Sequence, residues 1–303
     1  MKVLVTGGAG FIGSHLVEHF QNKAEVVVLD NLRSGFLKNL EGRQCQVIEA
    51  SILERSAVAE AMKGVDYVFH LAAMISVPES MEHPLDCVEL NTAGTLVVLE
   101  EAARAGVKKL CLSSSAAIYG DNPVVPKREE MYPEPRSPYA VTKLDGEYYC
   151  EMFRREGKLN AVSLRYFNVF GPRQNPASAY AAAVPIFIHQ ALRNETIRIY
   201  GDGEQTRDFI YVKDIVAANV WLAEHEEFHG VYNVAYGGRI TIKELATRIV
   251  ALTGSKSAIE FLPERAGDVK HSQAAVDRLK ATGFTPSYQF DEALDQTIAS
   301  FNS

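Results

Sequence analysis

The stretch Lys2-Val3-Leu4-Val5-Thr6-Gly7-Gly8-Ala9-Gly10-Phe11-Ile12-Gly13 decides the fold. Val3-Leu4-Val5 is a short apolar run that suits a buried strand, and Phe11, Ile12, Leu16 and Phe20 then recur at helical spacing. The glycines therefore lie between a strand and a helix, the setting a dinucleotide-binding turn requires. Gly8 and Gly10 let backbone approach a pyrophosphate, and Gly13 lets helix and strand pack closely. The helix start at Phe11 and Ile12 then faces the phosphates with free N–H groups and the positive end of its dipole. A bare tight turn is the alternative reading.

Working outward, a second strand from Glu25 to Leu29 ends at Asp30. An acid at the end of that strand is positioned to bond an adenosine ribose 2′-hydroxyl, which favours NAD over NADP. Arg33 nearby offers the opposite choice, a partner for a 2′-phosphate. Strand-like and helical segments keep alternating. Gln46–Glu49, Asp66–His70 and Lys109–Ser113 read as strands, Glu54–Met62 as a helix, and Pro84–Arg104 as one long helix. The alternation predicts an α/β chain with a doubly wound parallel sheet, whose ligands bind outside the carboxyl ends of the strands. Leu71-Ala72-Ala73 and Ser113-Ser114-Ser115 fall at such ends. The small residues at 72 and 73 would admit a flat cofactor, or serve as ordinary core alanine.

Composition narrows the function classes. The 303 residues are 47% hydrophobic and 23% charged, enough for a substantial core and against disorder. The net charge of −7 comes without a basic block, so no nucleic-acid partner is expected and an anionic ligand must be held by local arginines. Cys45, Cys87, Cys111 and Cys150 are scattered without metal-site or disulfide spacing, so no metal is expected. No apolar run is long enough for a membrane span, and the chain opens directly on a strand. The expectation is a cytoplasmic protein with no membrane partner.

Ser137-Pro138-Tyr139-Ala140-Val141-Thr142-Lys143 carries the chemistry. Ser137 suits a helix N-cap and Pro138 a first turn. Tyr139 and Lys143, four apart, share a helix face. With an ordinary pKa of about 10, tyrosine is a poor base at neutral pH, and a neighbouring ammonium would lower that value. Tyr139 would then move the proton and Lys143 tune it. A surface aromatic–cation contact has the same spacing.

The glycine turn, His70-Leu71-Ala72-Ala73, Asn91-Thr92-Ala93-Gly94-Thr95, Ser113-Ser114-Ser115-Ala116-Ala117-Ile118-Tyr119-Gly120 and the Tyr139 segment occur in this order. Together they resemble an extended short-chain dehydrogenase/reductase, and within it a UDP-sugar 4-epimerase, over essentially the whole chain. The resemblance implies a Rossmann domain with a smaller α/β C-terminal substrate domain. It implies catalytic Ser115 beside Tyr139 and Lys143. It also implies NAD contacts at Asn31, Ser34, Ser51, Ile52, Asn91, Ser113 and Tyr166, in addition to Gly7, Gly10 to Gly13, Asp30, Arg33 and Leu71 to Ala73. Many relatives have Asp-Ile where this chain has Ser51-Ile52, so a rearranged adenine contact is expected.

On the substrate side the resemblance implies Ser76 near the sugar, Asn168 at the diphosphate, and Ala182 and Val184 over the uracil. Tyr200, Gln205 and Arg207 follow in a glycine-turn segment, with Arg207 as a diphosphate partner. Arg265 and Asp268 would contact phosphate and ribose. Ser272 stands where a bulky residue would shut out a 2-acetamido group, so N-acetyl sugars are expected as substrates beside UDP-glucose and UDP-galactose. Related dehydratases and decarboxylases carry carboxylates after the catalytic hydroxyl, where this chain has Ala116-Ala117. Epimerisation at another carbon, reduction, or a non-catalytic NAD-binding regulator stay as rivals. The expected layout is an NAD-binding domain of 1–170 plus 211–238, with 171–210 plus 239–303 binding the nucleotide sugar. A homodimer through the 84–104 and 138–157 helices is implied by resemblance alone.

Overall fold

The computed structural model describes residues 1–176, 182–264 and 270–301. Arg265 and Asp268 lie outside the described residues. The first half runs β1 (Lys2–Thr6), α1 (Phe11–Phe20), β2 (Glu25–Asp30), β3 (Gln46–Glu49), α2 (Arg55–Ala61) and β4 (Tyr67–His70). It continues through α3 (Val77–Glu82), α4 (Pro84–Val88), α5 (Gly94–Ala105), β5 (Lys109–Ser115), α6 (Pro138–Arg155) and β6 (Ala161–Tyr166). Then come β7 (Asn168–Phe170), α7 (Ala183–Leu192), β8 (Ile197–Tyr200), β9 (Thr206–Arg207), β10 (Phe209–Tyr211), α8 (Val212–Glu224) and β11 (Gly230–Val234). The chain closes with β12 (Ile240–Thr241), α9 (Ile242–Thr253), β13 (Ile259–Leu262), α10 (Asp277–Lys280) and α11 (Phe290–Phe301).

Seven strands form one parallel sheet in the order β3-β2-β1-β4-β5-β6-β11. The apolar run of β1 is explained by burial on both faces, as parallel sheets require. Val3 and Val5 pack under α1 and α8 with Leu16, Phe20, Ile215 and Leu222. Leu4 packs on the other face with Val58, Val98 and Leu99 of α2 and α5. Each such side chain contributes roughly 1.5–3 kcal/mol by leaving water. Because β2 and β4 flank β1, the strand order reverses there, the position at whose carboxyl ends ligands bind in such sheets, and Gly7 and His70 stand at those ends.

A third cluster, with Phe187, Ile188, Leu245, Ile249 and Leu294, joins α7, α9 and α11 around β8 and β10. The predicted return of the chain to the sheet is made by α8 and β11, which pairs with β6. β10 instead pairs with β7 in a separate two-stranded sheet. Two further elements differ from expectation. β5 extends to Ser115 because Ser113, Ser114 and Ser115 pair with Leu164, Arg165 and Tyr166 of β6. The 84–104 helix is interrupted by a π-turn over Glu89–Ala93, which turns Asn91 inward; such turns recur at functional sites.

Candidate active site

The glycine turn is shaped by close approaches. Gly7 has φ of +71°, and a Cβ there would lie 2.8 Å from the Ala72 backbone nitrogen. A Cβ on Gly13 would lie 2.2 Å from the Gly7 carbonyl oxygen. Gly8 differs from expectation: its Cβ would strike the Val28 side chain at 2.8 Å, so its smallness serves sheet packing. Gly10 caps α1 with no side chain of its own, leaving the N–H groups of Phe11, Ile12 and Gly13 without helical partners. This side-chain-free cradle at a helix N-terminus fits the pyrophosphate of a dinucleotide. Half-buried Ala72 and Ala73 flank it.

Asp30 is buried at the end of β2. Its carboxylate accepts from the Ala9 N–H at 2.9 Å and the Leu32 N–H at 2.8 Å, which ties the glycine turn to the next loop. Asn31 accepts from the Arg33 N–H, and Ser34 is exposed beside them. The Arg33 guanidinium pairs with Glu79 of α3 at 2.7 Å. Ser51 accepts from the Leu53 N–H. Ile52 corrects its expectation, because its side chain is buried against Gly94 and offers a ligand no surface.

At the start of α6, Ser137 caps the helix by accepting from the Ala140 N–H, and Pro138 occupies the first turn. Ser115 ends β5 and caps the single 3-10 turn Ala116–Tyr119. The Ser115 hydroxyl lies near enough to the Tyr139 phenol to act on its ionisation. The Lys143 ammonium lies 5.8 Å from the Tyr139 ring centre and donates to the Ser113 carbonyl at 2.8 Å. The three candidate catalytic residues therefore meet. Their electrostatics correct the expected tuning. Burial raises the Tyr139 pKa above its ordinary value, the nearby Ser115 hydroxyl opposes this, and burial pushes Lys143 down to about 8. Desolvation sets the direction for both groups.

Around them the polar groups are paired. His70 joins Thr6 and Thr95 through its two ring nitrogens, and burial lowers its pKa to about 3. The Asn91 amide is spent on the Met74 backbone and the Thr142 hydroxyl, so it fixes the β4–α3 segment against α6. Ser80 receives the Tyr139 N–H. Neither Ser80 nor Thr142 belongs to a spacing pattern that sequence reading could use.

Beside Ser115 lies a cavity of about 700 Å³. Asn168, Arg207 and Ser272 line it, and Ala116 and Ala117 form wall just after Ser115. Asn168 also donates to the Asp208 carbonyl at 3.2 Å, which anchors β7. Val77, Met81, Asp121, Lys127 and Arg136 line the cavity as well, and the sequence singled out none of them. Val77 and Met81, one helical turn apart, carried the only available signal.

Other expected substrate residues lie elsewhere. Val184 is buried in the third cluster, a correction, since it packs on α9 and α11 instead of facing a base. Ala182 is exposed at the N-cap of α7. Tyr166 lines the cavity but sends its hydroxyl away to Asn219 of α8 at 2.9 Å. Gln205 donates to the Tyr200 carbonyl at 2.7 Å, closing its own turn. Ser76 caps α3. Among the described residues no group of His, Cys, Asp and Glu could hold a metal, and no helix is long and apolar enough to cross a membrane.

Known proteins can now be set beside this geometry. The model of the NAD dependent epimerase/dehydratase family matches residues 3–235. A solved UDP-N-acetylglucosamine 4-epimerase from Methanobrevibacter ruminantium M1, in complex with UDP-N-acetylmuramic acid, is 42% identical, with a TM-score of 0.96 over 99% of this chain and 98% of that one. The UDP-glucose 4-epimerase of Mycolicibacterium smegmatis is 36% identical over 100% of this chain and 99% of its own length. A UDP-N-acetyl-alpha-D-glucosaminuronate decarboxylase of Bacillus cytotoxicus is 33% identical over 99% of this chain and 97% of its own. A dinucleotide cradle at the strand crossover, a Ser–Tyr–Lys group beside a cavity and a match along most of the chain lead to one conclusion: this protein belongs to the NAD dependent epimerase/dehydratase family.

Proposed function

We propose that the chain is a UDP-sugar 4-epimerase, interconverting UDP-glucose with UDP-galactose and the corresponding N-acetyl sugars through a 4-keto intermediate. One observation carries the reading. Ser115, Tyr139 and Lys143 share a site whose cavity wall continues as Ala116-Ala117, where elimination or decarboxylation would need a carboxylate. Among the described lining residues the acid is Asp121, exposed and paired with Arg136.

In this reading the 1–170 and 211–238 segments hold NAD through the Gly7–Gly13 turn, Asp30 and the Ala72-Ala73 edge. The 171–210 and 239–303 segments hold the nucleotide sugar. The chemistry bound NAD supplies is acceptance and return of the hydride at C4, so the net reaction is redox-neutral. Tyr139 takes the 4-hydroxyl proton, relayed by Ser115, and later returns it to the oxygen on the opposite sugar face. Lys143 secures the end of β5, and with it Ser115, through the Ser113 carbonyl. Asn168 and Arg207 grip the diphosphate, leaving the keto sugar free to turn about that linkage. The protein acts in the cytoplasm as a homodimer.

The test is an NMR assay of purified protein, without added NAD, on UDP-glucose and UDP-N-acetylglucosamine separately. Conversion to both 4-epimers is expected. Absence of conversion even with NAD added would overturn the reading. Ser272→Tyr should abolish turnover of the N-acetyl sugar selectively; equal loss on both substrates would remove Ser272 as the gate.

A further inference from the structure

Asn168, Arg207 and Ser272 line one cavity but come from distant parts of the chain. Their own strands fix them weakly. Asn168 opens β7, of three residues, Arg207 ends β9, of two, and Ser272 belongs to no strand. Asp208, next in the chain after Arg207, joins the three segments and is fully buried. Its carboxyl accepts on both oxygens. Oδ1 takes the Tyr236 N–H at 3.1 Å and Oδ2 takes the Ala274 N–H at 3.0 Å, with the Gly237 nitrogen 3.1 Å from each oxygen. Its carbonyl accepts the Asn168 backbone N–H at 3.1 Å and the Asn168 side-chain amide at 3.2 Å.

The surrounding bonds carry this hold to the cavity. The Ser272 N–H donates to the Thr206 carbonyl at 3.0 Å, and Gln273 Nε2 donates to the Gly237 carbonyl at 3.0 Å. Ile240 pairs with Arg207 across β12 and β9. An amide nitrogen carries two hydrogens, and the Asp208 carbonyl engages one from Asn168. That bond sets the plane of the amide and leaves the other hydrogen for a ligand oxygen. Asp208, Tyr236, Gly237 and Ala274 do not themselves line the cavity. Asp208 therefore reaches a ligand only through the segments it holds.

A second buried acid shows what a purely structural role looks like. Asp214 of α8 accepts from the Ser287 N–H at 2.8 Å and the Tyr288 N–H at 3.3 Å. Neither Ser287 nor Tyr288 lines the cavity. The two acids share their chemistry and differ in what they hold.

We propose that Asp208 is a positioning residue for the nucleotide sugar, its buried carboxyl and carbonyl holding Asn168, Arg207 and Ser272 in register around the ligand. The inference rests on the nucleotide-sugar reading above. Asparagine cannot replace the acid. Its amide nitrogen would face a backbone N–H, donor against donor, so it can hold the 236–237 segment or residue 274 but not both.

The test is calorimetric titration of the holoenzyme with UDP on wild type, Asp208→Asn and Asp214→Asn. It is run at pH 8, above the value of about 7 to which burial raises the Asp208 carboxyl. Asp208→Asn should weaken UDP binding about tenfold, the scale of one hydrogen bond to a charged group, with NAD content unchanged. Asp214→Asn should lower the melting temperature and keep the wild-type UDP affinity. Wild-type affinity in Asp208→Asn, or equal weakening in Asp214→Asn, would overturn this inference and leave the parent reading standing. If Asp208→Asn does not fold, amide hydrogen exchange in the wild type decides. Binding couplings are reciprocal, so UDP should slow exchange at Tyr236, Gly237 and Ala274 more than at Ser287 and Tyr288. Equal slowing would overturn the inference. Failure of the wild-type holoenzyme to bind UDP would overturn both.

Discussion

Tyr139 shows how a residue's surroundings can reverse what its spacing suggests. Four residues separate it from Lys143, and a solvated pair of that kind would lower the phenol pKa. Here both groups leave water, which penalises phenolate and ammonium alike, and the ammonium is directed at the Ser113 carbonyl. The group that opposes the rise is Ser115. Proton transfer should therefore depend on both hydroxyls. Tyr139→Phe should lower turnover by about 10²–10⁴, the usual worth of a positioned acid–base group. Its cofactor content, read by absorbance after denaturation, should stay at the wild-type level. Near wild-type turnover would sink the assignment. Spacing made this pair legible as candidates. Its electrostatics were illegible, because burial is a property of the packed molecule. Val184 and Ile52 were misplaced for a related reason: a motif marks a neighbourhood in the chain, but the face on which each side chain lands is set by Gly94 or by α9 and α11.

At the scale of elements, β1, the glycine turn and α1 were readable because their constraints are local. The turn must reverse direction within a few residues, and only glycine fits the Gly7 φ and the Gly13 approach. Gly13→Ala should cost about 1–3 kcal/mol or more, since backbone on both sides must shift. Gly64→Ala is the control. Gly64 has φ of +69° with nothing within 4 Å of its Cβ, so only the left-handed backbone penalty of about 1–2 kcal/mol applies. Urea unfolding measures both, and retained cofactor should fall in Gly13→Ala alone. Equal cofactor retention would mean the close approach does not serve the cradle. The 120–136 wall was not readable in this way. It has no period, and its shape depends on Lys127 bonding to residues 273 and 275, far along the chain. The pairing of β10 with β7 likewise depends on packing in the third cluster and leaves no local mark.

For the whole molecule, the exposed apolar face of α4 and α6 bears on assembly. Leu85 is 81% exposed and Tyr148 56%, with Val88, Val141 and Met152 exposed beside them. Val141, Tyr148 and Met152 are spaced seven and four apart, one face of α6. A second copy meeting this face about a two-fold axis would bury each residue twice, so Leu85→Glu should act twice per dimer. Sedimentation should give a dimer of the 33.4 kDa chain for wild type and a monomer for the variant; a monomeric wild type would refute the assembly. Stability against acid follows from groups spread across the fold. Burial lowers His70 to about 3 and His15 to about 4, both below the ordinary histidine value. The unfolded chain therefore takes up protons that the fold refuses. The stabilisation is complete above about pH 6.5 and is lost as pH falls through the folded values, at about 1.4 kcal/mol per pH unit for each histidine. Asp208 works the other way. Burial raises it to about 7 despite N–H groups donated by Ala274, Gly237 and Tyr236, so its contribution is present at low pH and lost as pH rises through 7. The histidine term is isolated by comparing wild type with His70→Gln in urea between pH 7 and 4.5. The variant should be less stable at pH 7, where the bonds to Thr6 and Thr95 are weakened, and its stability should fall less steeply on acidification. Parallel curves would mean that His70 takes up its proton in the folded state.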